Sequence, residues 1–438
     1  MKAVITGGAG FIGSHMVDLL ISKNFEVIII DDLANGRLSN IEHHKNNSKV
    51  TFIQVNISDY TININKYFQD VEYVFHYAAL ADIVPSINNP VKYHKANVDG
   101  TINILEAAKT SEKLKKFVYA ASSSCYGIPE IYPTPETSPI APEYPYALTK
   151  YLGEEYVLNW GKIYDMPVVS MRFFNVYGLR HRTTGTYGAV FGVFLAQLIN
   201  NKPLTIVGDG EQTRDFTYVT DVVDACYTVA ISEYSQEIFN VGSDNTYSIN
   251  YLVELLGGEK QYIPKRPGEP DSTHADISKI KKLLNWSPKV SFENGVRIML
   301  KNLDLYKDAP VWDESSIKDA TKDWFECLGG GEIMLNSKDI RENTIKMSNN
   351  STHLKLQEWK KLSPTQQLEK VQSFSTQYKD KIDVLAVKDQ AIELSLYMEK
   401  NRVYDFLVSY ETYLRQKLGN FPIIVLLKDR ADENRKRK

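Results

Sequence analysis

The segment MKAVITGGAGFIG at residues 1–13 constrains the fold more than any other part of the chain. A short apolar strand from Ala3 to Thr6 breaks into glycines at Gly7, Gly10 and Gly13, and a helical pattern from Phe11 to Ser22 starts at once. Glycine here lets the backbone turn tightly and approach a pyrophosphate, with the free N–H groups of the next helix aimed at phosphate charge. A second strand, Glu26 to Ile30, completes the strand–helix–strand order of a dinucleotide-binding unit. The glycine spacing alone is a weak signal, and the order of elements around it carries the argument. Asp31 and Asp32 close the second strand, where a carboxylate accepts hydrogen bonds from ribose hydroxyls. A 2′-phosphate there would meet like charge, so NAD is favoured over NADP, with Arg37 counting the other way.

Further strand-like runs at Thr51–Val55, Tyr73–Tyr77, Lys116–Ala121 and Val168–Phe173 alternate with helical patterns. That alternation predicts an α/β fold of the Rossmann type, a doubly wound parallel sheet covered by helices on both faces. Ligands bind such sheets at the carboxyl ends of the strands. The polar or small clusters fall there: Ala78 and Ala79, then Ser122 to Ser124, then Asn175. Residues 1–178 are read as the dinucleotide domain, with a segment at about 215–242 returning to it and Phe239–Val241 as one more strand. Residues 179–214 and 243–328 are read as a smaller α/β substrate lobe. Gly329, Gly330 and Gly331 with the polar run Met347–Thr352 mark a linker over 329–352. The remainder, 353–438, is expected to be a mainly helical unit. Ser363, Pro364 and Gln366 supply a helix start, and Val403, Phe406, Tyr410 and Leu414 share one helical face. Gly419 is placed at the end of that helix and Pro422–Leu427 as a short strand.

Composition removes several classes of function. With 51 Lys plus Arg against 54 Asp plus Glu, the net charge is −3, which leaves no electrostatic footprint for nucleic acid. Three cysteines, Cys125, Cys226 and Cys327, are widely spaced and form no CxxC pair, which points to a reducing compartment. No apolar stretch is long enough to span a bilayer, and the glycine turn leaves no room for a signal peptide before it, so a cytoplasmic protein without membrane partners is expected. The eight histidines include the pair His43–His44 but no HExxH, so no metal site is expected and the pair is read as surface or packing residues.

The chemistry-bearing residues lie in YPYALTKYLGEEY. Tyr146 and Lys150 are four apart, which puts both on one helical face. An ammonium beside a phenol stabilises phenolate and lowers the tyrosine pKa, as a base working near neutral pH requires. Ser122, at the end of a predicted strand, adds a hydroxyl able to bond the substrate oxygen while Tyr146 takes its proton. Cys125 lies beside these residues and is not assigned a catalytic role.

At this point the chain resembles the extended short-chain dehydrogenase/reductase family, and within it the nucleotide-sugar epimerases. The motifs TGGAGFIGSH, HYAALADIVPS, NVDGT, ASSSCYG, YPYALTK, RFFNVYG, GDGEQTRDFTYVTDV, RPGEP and LLNWSP occur in the family's order between Met1 and about Trp324. The resemblance implies that Phe11, Ile12, Asp31, Asn56, Ile57, Ala78, Ala79, Asn97, Lys150 and Phe174 line an NAD site. It implies that Ser122 and Tyr146 flank a sugar, with Ser123 and Ser124 beside it. Asn175 and Arg214 then hold the diphosphate, and Arg266 and Glu269 reach phosphates and nucleoside; arginine suits this because its planar fork matches phosphate oxygens. Asn56 departs from the family, which often has Asp beside the adenine; an amide oxygen still accepts a bond.

Relatives that expel water carry an Asp-Glu pair after the catalytic hydroxyl, and decarboxylases carry a Glu two positions after it. Ser123 and Ser124 stand here instead. The resemblance therefore implies 4-epimerisation of a UDP-linked nucleotide-sugar by an enzyme working as a homodimer. Two alternatives are a nucleotide-sugar decarboxylase, dehydratase or reductase, and a catalytically silent NAD-binding regulatory module. The intact Ser122, Tyr146 and Lys150 argue against the second.

Overall fold

A computed structural model describes residues 1–181, 190–328, 358–388, 391–397, 403–418 and 424–427. The chain divides into two compact units, Met1–Gly331 and Glu332–Lys438.

The first unit begins with β1 (Lys2–Thr6), α1 (Phe11–Ser22), β2 (Glu26–Asp31), β3 (Val50–Gln54) and β4 (Tyr73–His76). There follow α2 (Ile83–Asn88), α3 (Pro90–His94), α4 (Gly100–Lys109), β5 (Lys116–Ser122), α5 (Pro145–Tyr164) and β6 (Val168–Phe173). These six strands match the expected runs to within a residue or two at their ends. Next come β7 (Asn175–Tyr177), α6 (Val190–Ile199), β8 (Leu204–Val207), β9 (Thr213–Arg214), β10 (Phe216–Tyr218), α7 (Val219–Ala230) and β11 (Glu237–Val241). The unit closes with β12 (Tyr247–Ser248), α8 (Ile249–Leu256), β13 (Lys260–Ile263), β14 (Ser272–Thr273), α9 (Ser278–Leu284), α10 (Phe292–Lys301) and α11 (Glu314–Leu328).

Seven strands form one sheet in the order β11-β6-β5-β4-β1-β2-β3, and every neighbouring pair is parallel. Parallel strands need helices on both faces, and these strands are accordingly mostly apolar, with Ser170 and Arg172 of β6 among the exceptions. Alternate residues go to opposite cores: Ala3, Ile5, Val27 and Phe75 pack with Met16 of α1 and Val222 of α7, while Val4, Ile28 and Val74 pack with Ile104 of α4 and Val157 of α5. The strand order reverses between β1 and β4, and the crevice above that point is where a ligand fits.

The rest of the unit is built from shorter strands. β8 pairs with β13, β10 with β7, and β9 lies between β12 and β14 with two residues in each strand. An aromatic core replaces the long sheet: Tyr177 stacks on Phe191 at 4.6 Å and Phe216 on Phe292 at 5.1 Å between ring centroids.

In the second unit Ser363 and Gln366 form the expected capping box for the helix Pro364–Phe374. A further helix spans Val403–Leu418 and buries Tyr410 and Leu414. The side chain of Val403, the linker glycines, Met347–Thr352, Gly419 and Pro422 lie outside the described residues. Ile424–Leu427 falls in the short strand expected there, but the mainly helical expectation needs amendment, because the strands Ile382–Lys388 and Ala391–Leu396 join it in a three-stranded sheet. Ile382, Val384, Ile392 and Leu394 bury one face of it with Trp359, Val371 and Tyr410.

Candidate active site

Two elements bring the chemical groups together. Ser122 ends β5, and its Oγ accepts from the Ser124 N–H at 3.2 Å, capping the tight turn Ser123–Tyr126. Tyr146 and Lys150 lie one turn apart at the start of α5, which opens on Pro145, a residue whose missing N–H costs nothing there. α5 lies so close to β5 that a Cβ on Gly153 would stand 2.2 Å from Tyr119 Oη. That hydroxyl donates to the Lys150 carbonyl at 3.1 Å, and the Tyr119 ring lies 4.2 Å from Lys150 Nζ. Ser122, Tyr146 and Lys150 all line one cavity of about 660 Å³.

A buried pair fastens the same helix to the sheet. Arg172 of β6 reaches Glu154 of α5 through Nε at 3.0 Å and also through Nη2, and Ser170 donates to the same carboxylate at 2.7 Å. Arg172 Nη1 donates to Tyr126 Oη at 2.9 Å and to the Glu136 carbonyl at 3.1 Å. Burial works against the guanidinium charge, yet Glu154 outweighs it and holds Arg172 above its ordinary value.

Burial dominates the titrations at the cavity. It pushes the Tyr146 phenol up, with a Ser122 hydrogen bond pulling back and the Asp82 carboxylate adding to the rise. It pulls Lys150 down to about 7, with Glu154 acting the other way. The sequence led us to expect a lysine charge lowering the tyrosine; desolvation instead drives both groups toward their neutral forms. Burial also pushes the Cys125 thiol up to about 12, which makes it a poor nucleophile at neutral pH. His76, behind the cavity, is driven down to about 3 and shares hydrogens with Thr6 Oγ1 at 2.6 Å and Thr101 Oγ1 at 2.9 Å.

At the glycine turn, Gly7 has φ +68°, and a Cβ there would stand 2.7 Å from Ala78 N. A Cβ on Gly13 would lie 2.2 Å from the Gly7 carbonyl oxygen, so the strand, the turn and α1 close on one another only without side chains. Gly7, Gly10, Gly13, Phe11, Ile12, Asp31, Asp32, Asn56, Ile57, Ala78, Ala79 and Phe174 line the cavity. Asp31 accepts from the N–H groups of Ala9 at 3.0 Å and Leu33 at 2.9 Å, and burial raises its pKa against those bonds. The Asn56 amide oxygen already accepts from Ser58 N at 2.9 Å and Ser58 Oγ at 2.8 Å, so the group it offers the cavity is its NH₂, a donor where an acceptor was expected. Asn97 needs correction as well. It stands behind the wall, accepting from Leu80 N at 2.8 Å and donating to Leu80 O and Thr149 Oγ1, each at 3.0 Å. Its short amide braces the loop that lines the site.

Across the cavity lie Ser123, Ser124, Asn175, Arg214, Arg266 and Glu269. Glu269 accepts from Arg214 Nη2 at 2.7 Å and has Arg266 Nη1 at 3.8 Å, and Asn175 Oδ1 accepts from Thr273 Oγ1 at 2.7 Å. Asp82, Phe191, Gln212, Trp312 and Trp324 also face the cavity and were not singled out from the sequence. A signal existed for Trp324: Ile317, Thr321, Trp324 and Leu328 recur at helical spacing, the mark of a helix with one covered face.

The His43–His44 pair is more engaged than surface packing suggests. Each Nε2 lies 2.7 Å from Asp18 Oδ1, and Arg180 Nη2 lies 2.7 Å from Oδ2. These three donors are close enough to share a cation, but the arginine already neutralises the carboxylate.

The family model described as GDP-mannose 4,6 dehydratase matches residues 4–299, a span that holds the glycine turn, Ser122, Tyr146 and Lys150. The chain belongs to the extended short-chain dehydrogenase/reductase family of nucleotide-sugar epimerases and dehydratases. Within this NAD-dependent family, it is 38% identical over 301 residues to a putative UDP-glucose 4-epimerase of Methanocaldococcus jannaschii, covering 67% of this chain and 95% of that one. It is 32% identical over 313 residues to UDP-glucuronic acid decarboxylase 4 of Arabidopsis thaliana, covering 69% and 68%. The solved UDP-glucuronic acid 4-epimerase of Bacillus cereus, in complex with UDP-glucuronic acid and NAD, superposes with a TM-score of 0.65 at 33% identity, covering 69% and 99%. Among the described residues no helix is long and apolar enough to cross a membrane.

Proposed function

We propose that this chain is an NAD-dependent 4-epimerase of a UDP-sugar. The observation that carries the reading is the composition of one cavity. It joins the side-chain-free glycine turn to Ser122, Tyr146 and Lys150, continues to Arg214 and Arg266, and carries hydroxyls at Ser123 and Ser124 where dehydrating and decarboxylating relatives have carboxylates. The cradle fits a pyrophosphate, since Gly7, Gly10 and Gly13 let the turn close tightly before α1, a helix start whose first N–H groups favour negative charge.

The chemistry that NAD supplies when bound is reversible hydride acceptance. The chain's own residues do the rest. Tyr146 takes the proton of the sugar C4 hydroxyl as that carbon becomes a ketone, and Ser122 Oγ holds the same oxygen. Lys150, one helical turn away and pulled down to about 7 by burial, is part-protonated near neutral pH, and it is this protonated form that stabilises the phenolate. Arg214 and Arg266 hold the diphosphate while the ketone turns to present its other face, and Tyr146 gives the proton back.

The test is product analysis by NMR with UDP-, GDP- and CDP-sugars. The expected result is a C4 epimer from a UDP-sugar, with no accumulation of NADH. Stoichiometric NADH, loss of carbon dioxide, or a 4-keto-6-deoxy product would overturn the reading.

A further inference from the structure

α11 lies beyond the residues that the family model matches, yet it belongs to the site. Its start is tied to the substrate lobe: Gln261 Nε2 donates to Glu314 Oε2 at 3.1 Å, and just before the helix Gln197 Nε2 donates to the Trp312 carbonyl at 2.8 Å. Ile317 is buried against Val207 of β8 and Ile263 of β13. The helix also packs on α2, which follows the loop after β4 of the large sheet. α11 therefore bridges the two lips of the cavity, one from each half of the unit.

Its inward residue is Trp324, which is buried and lines the cavity. The indole Nε1 donates to the Pro267 carbonyl at 2.8 Å, and the Arg266 guanidinium carbon lies 5.5 Å from the ring centroid. Pro267 and Gly268 separate Arg266 from Glu269, and Gly268 turns with φ +68° directly under Leu328, whose Cβ stands 3.8 Å from where a Cβ on the glycine would be. One side chain thus fixes the loop backbone by a hydrogen bond and its arginine by a cation–π contact. Glu269, set by the same loop, orients Arg214. We infer that Trp324 is a positioning residue for the nucleoside diphosphate, acting through Arg266 and Glu269.

This rests on the nucleotide-sugar reading above. The measurements use the full chain: UDP and NAD affinities by calorimetry, and KM and kcat for the best UDP-sugar, in wild type, Trp324→Ala and Trp324→Phe. Removing the ring takes away a cation–π contact worth about 3- to 30-fold in affinity. Trp324→Ala is expected to weaken UDP binding and raise KM by about that factor while kcat and NAD affinity stay within about twofold. Trp324→Phe keeps a ring face but loses the hydrogen bond to Pro267, and an intermediate loss is expected. Unchanged UDP affinity in Trp324→Ala overturns the inference and leaves the reading intact. Loss of NAD and UDP binding together overturns it in favour of a purely structural role. Failure of the wild type to bind UDP overturns both.

Discussion

The two halves of the cavity are made of different material. At the glycine turn, where NAD is proposed to bind, the wall is backbone and absence: glycines at 7, 10 and 13, a helix terminus, and carboxylates and amides already spent on neighbouring N–H groups, as Asp31 and Asn56 are. At the wall proposed to hold the nucleotide-sugar it is charged side chains, with Arg214 on a two-residue strand and Arg266 on a loop, both turned toward Glu269. A seven-stranded parallel sheet fixes the first wall by its own hydrogen bonds. The second depends on what packs behind it. Binding of a shared cofactor is thereby separated from binding of a variable substrate, and the two can be perturbed separately.

Replacing Tyr146 by Phe removes the proton acceptor at the seam and leaves both walls standing. Turnover is expected to fall by a factor on the order of 10²–10⁴, the range that general-base catalysis supplies, with UDP and NAD affinities retained. Turnover near wild type would take Tyr146 out of the mechanism. A smaller effect should come from Gly13→Ala, whose Cβ would meet the Gly7 carbonyl at 2.2 Å. Overpacking of this kind costs roughly 1–3 kcal/mol, so the melting temperature and NAD affinity should drop together while UDP affinity changes little. An equal loss of UDP affinity would dissolve the distinction between the walls. Smallest of all should be the effect of ending the chain at residue 331. All the cavity residues precede that point, and the unit has its own cores, so NAD binding and activity are expected to survive. Precipitation or loss of activity would show that the second unit is needed by the first.

The same contrast governs what could be read from the sequence. The backbone wall was legible because glycine spacing and strand–helix alternation are themselves the physical requirement, so the six strands from β1 to β6 fell where expected. Asn97 was misread because a motif marks a position without saying whether its side chain faces a ligand or braces the loop that does. Trp324 was passed over because it follows the last motif, although its helical stripe was visible. In the second unit, Ile392 and Leu394 alternate as a strand should, but the pairing strand shifts register between Val384 and Ala386, which breaks the period where it was most needed. Titration behaviour was not legible at all. A sequence shows Lys150 beside Tyr146 but not the burial that holds both toward neutrality.

The Glu154–Arg172 pair bears on how damage to this protein will present itself. It touches neither cavity wall, yet one of its members shares a helix with Tyr146 and Lys150, and the other leads through Tyr126 to the turn that begins at Ser122. Ser122 and Tyr146 come from separate elements, so the gap between them depends on this fastening together with the packing of Tyr119 on Lys150 and Gly153. A lesion at either partner strands a charge in the core. In a screen scored by activity alone, Arg172 would therefore pass for a member of the chemistry, and the abundance of folded protein would show that it is not.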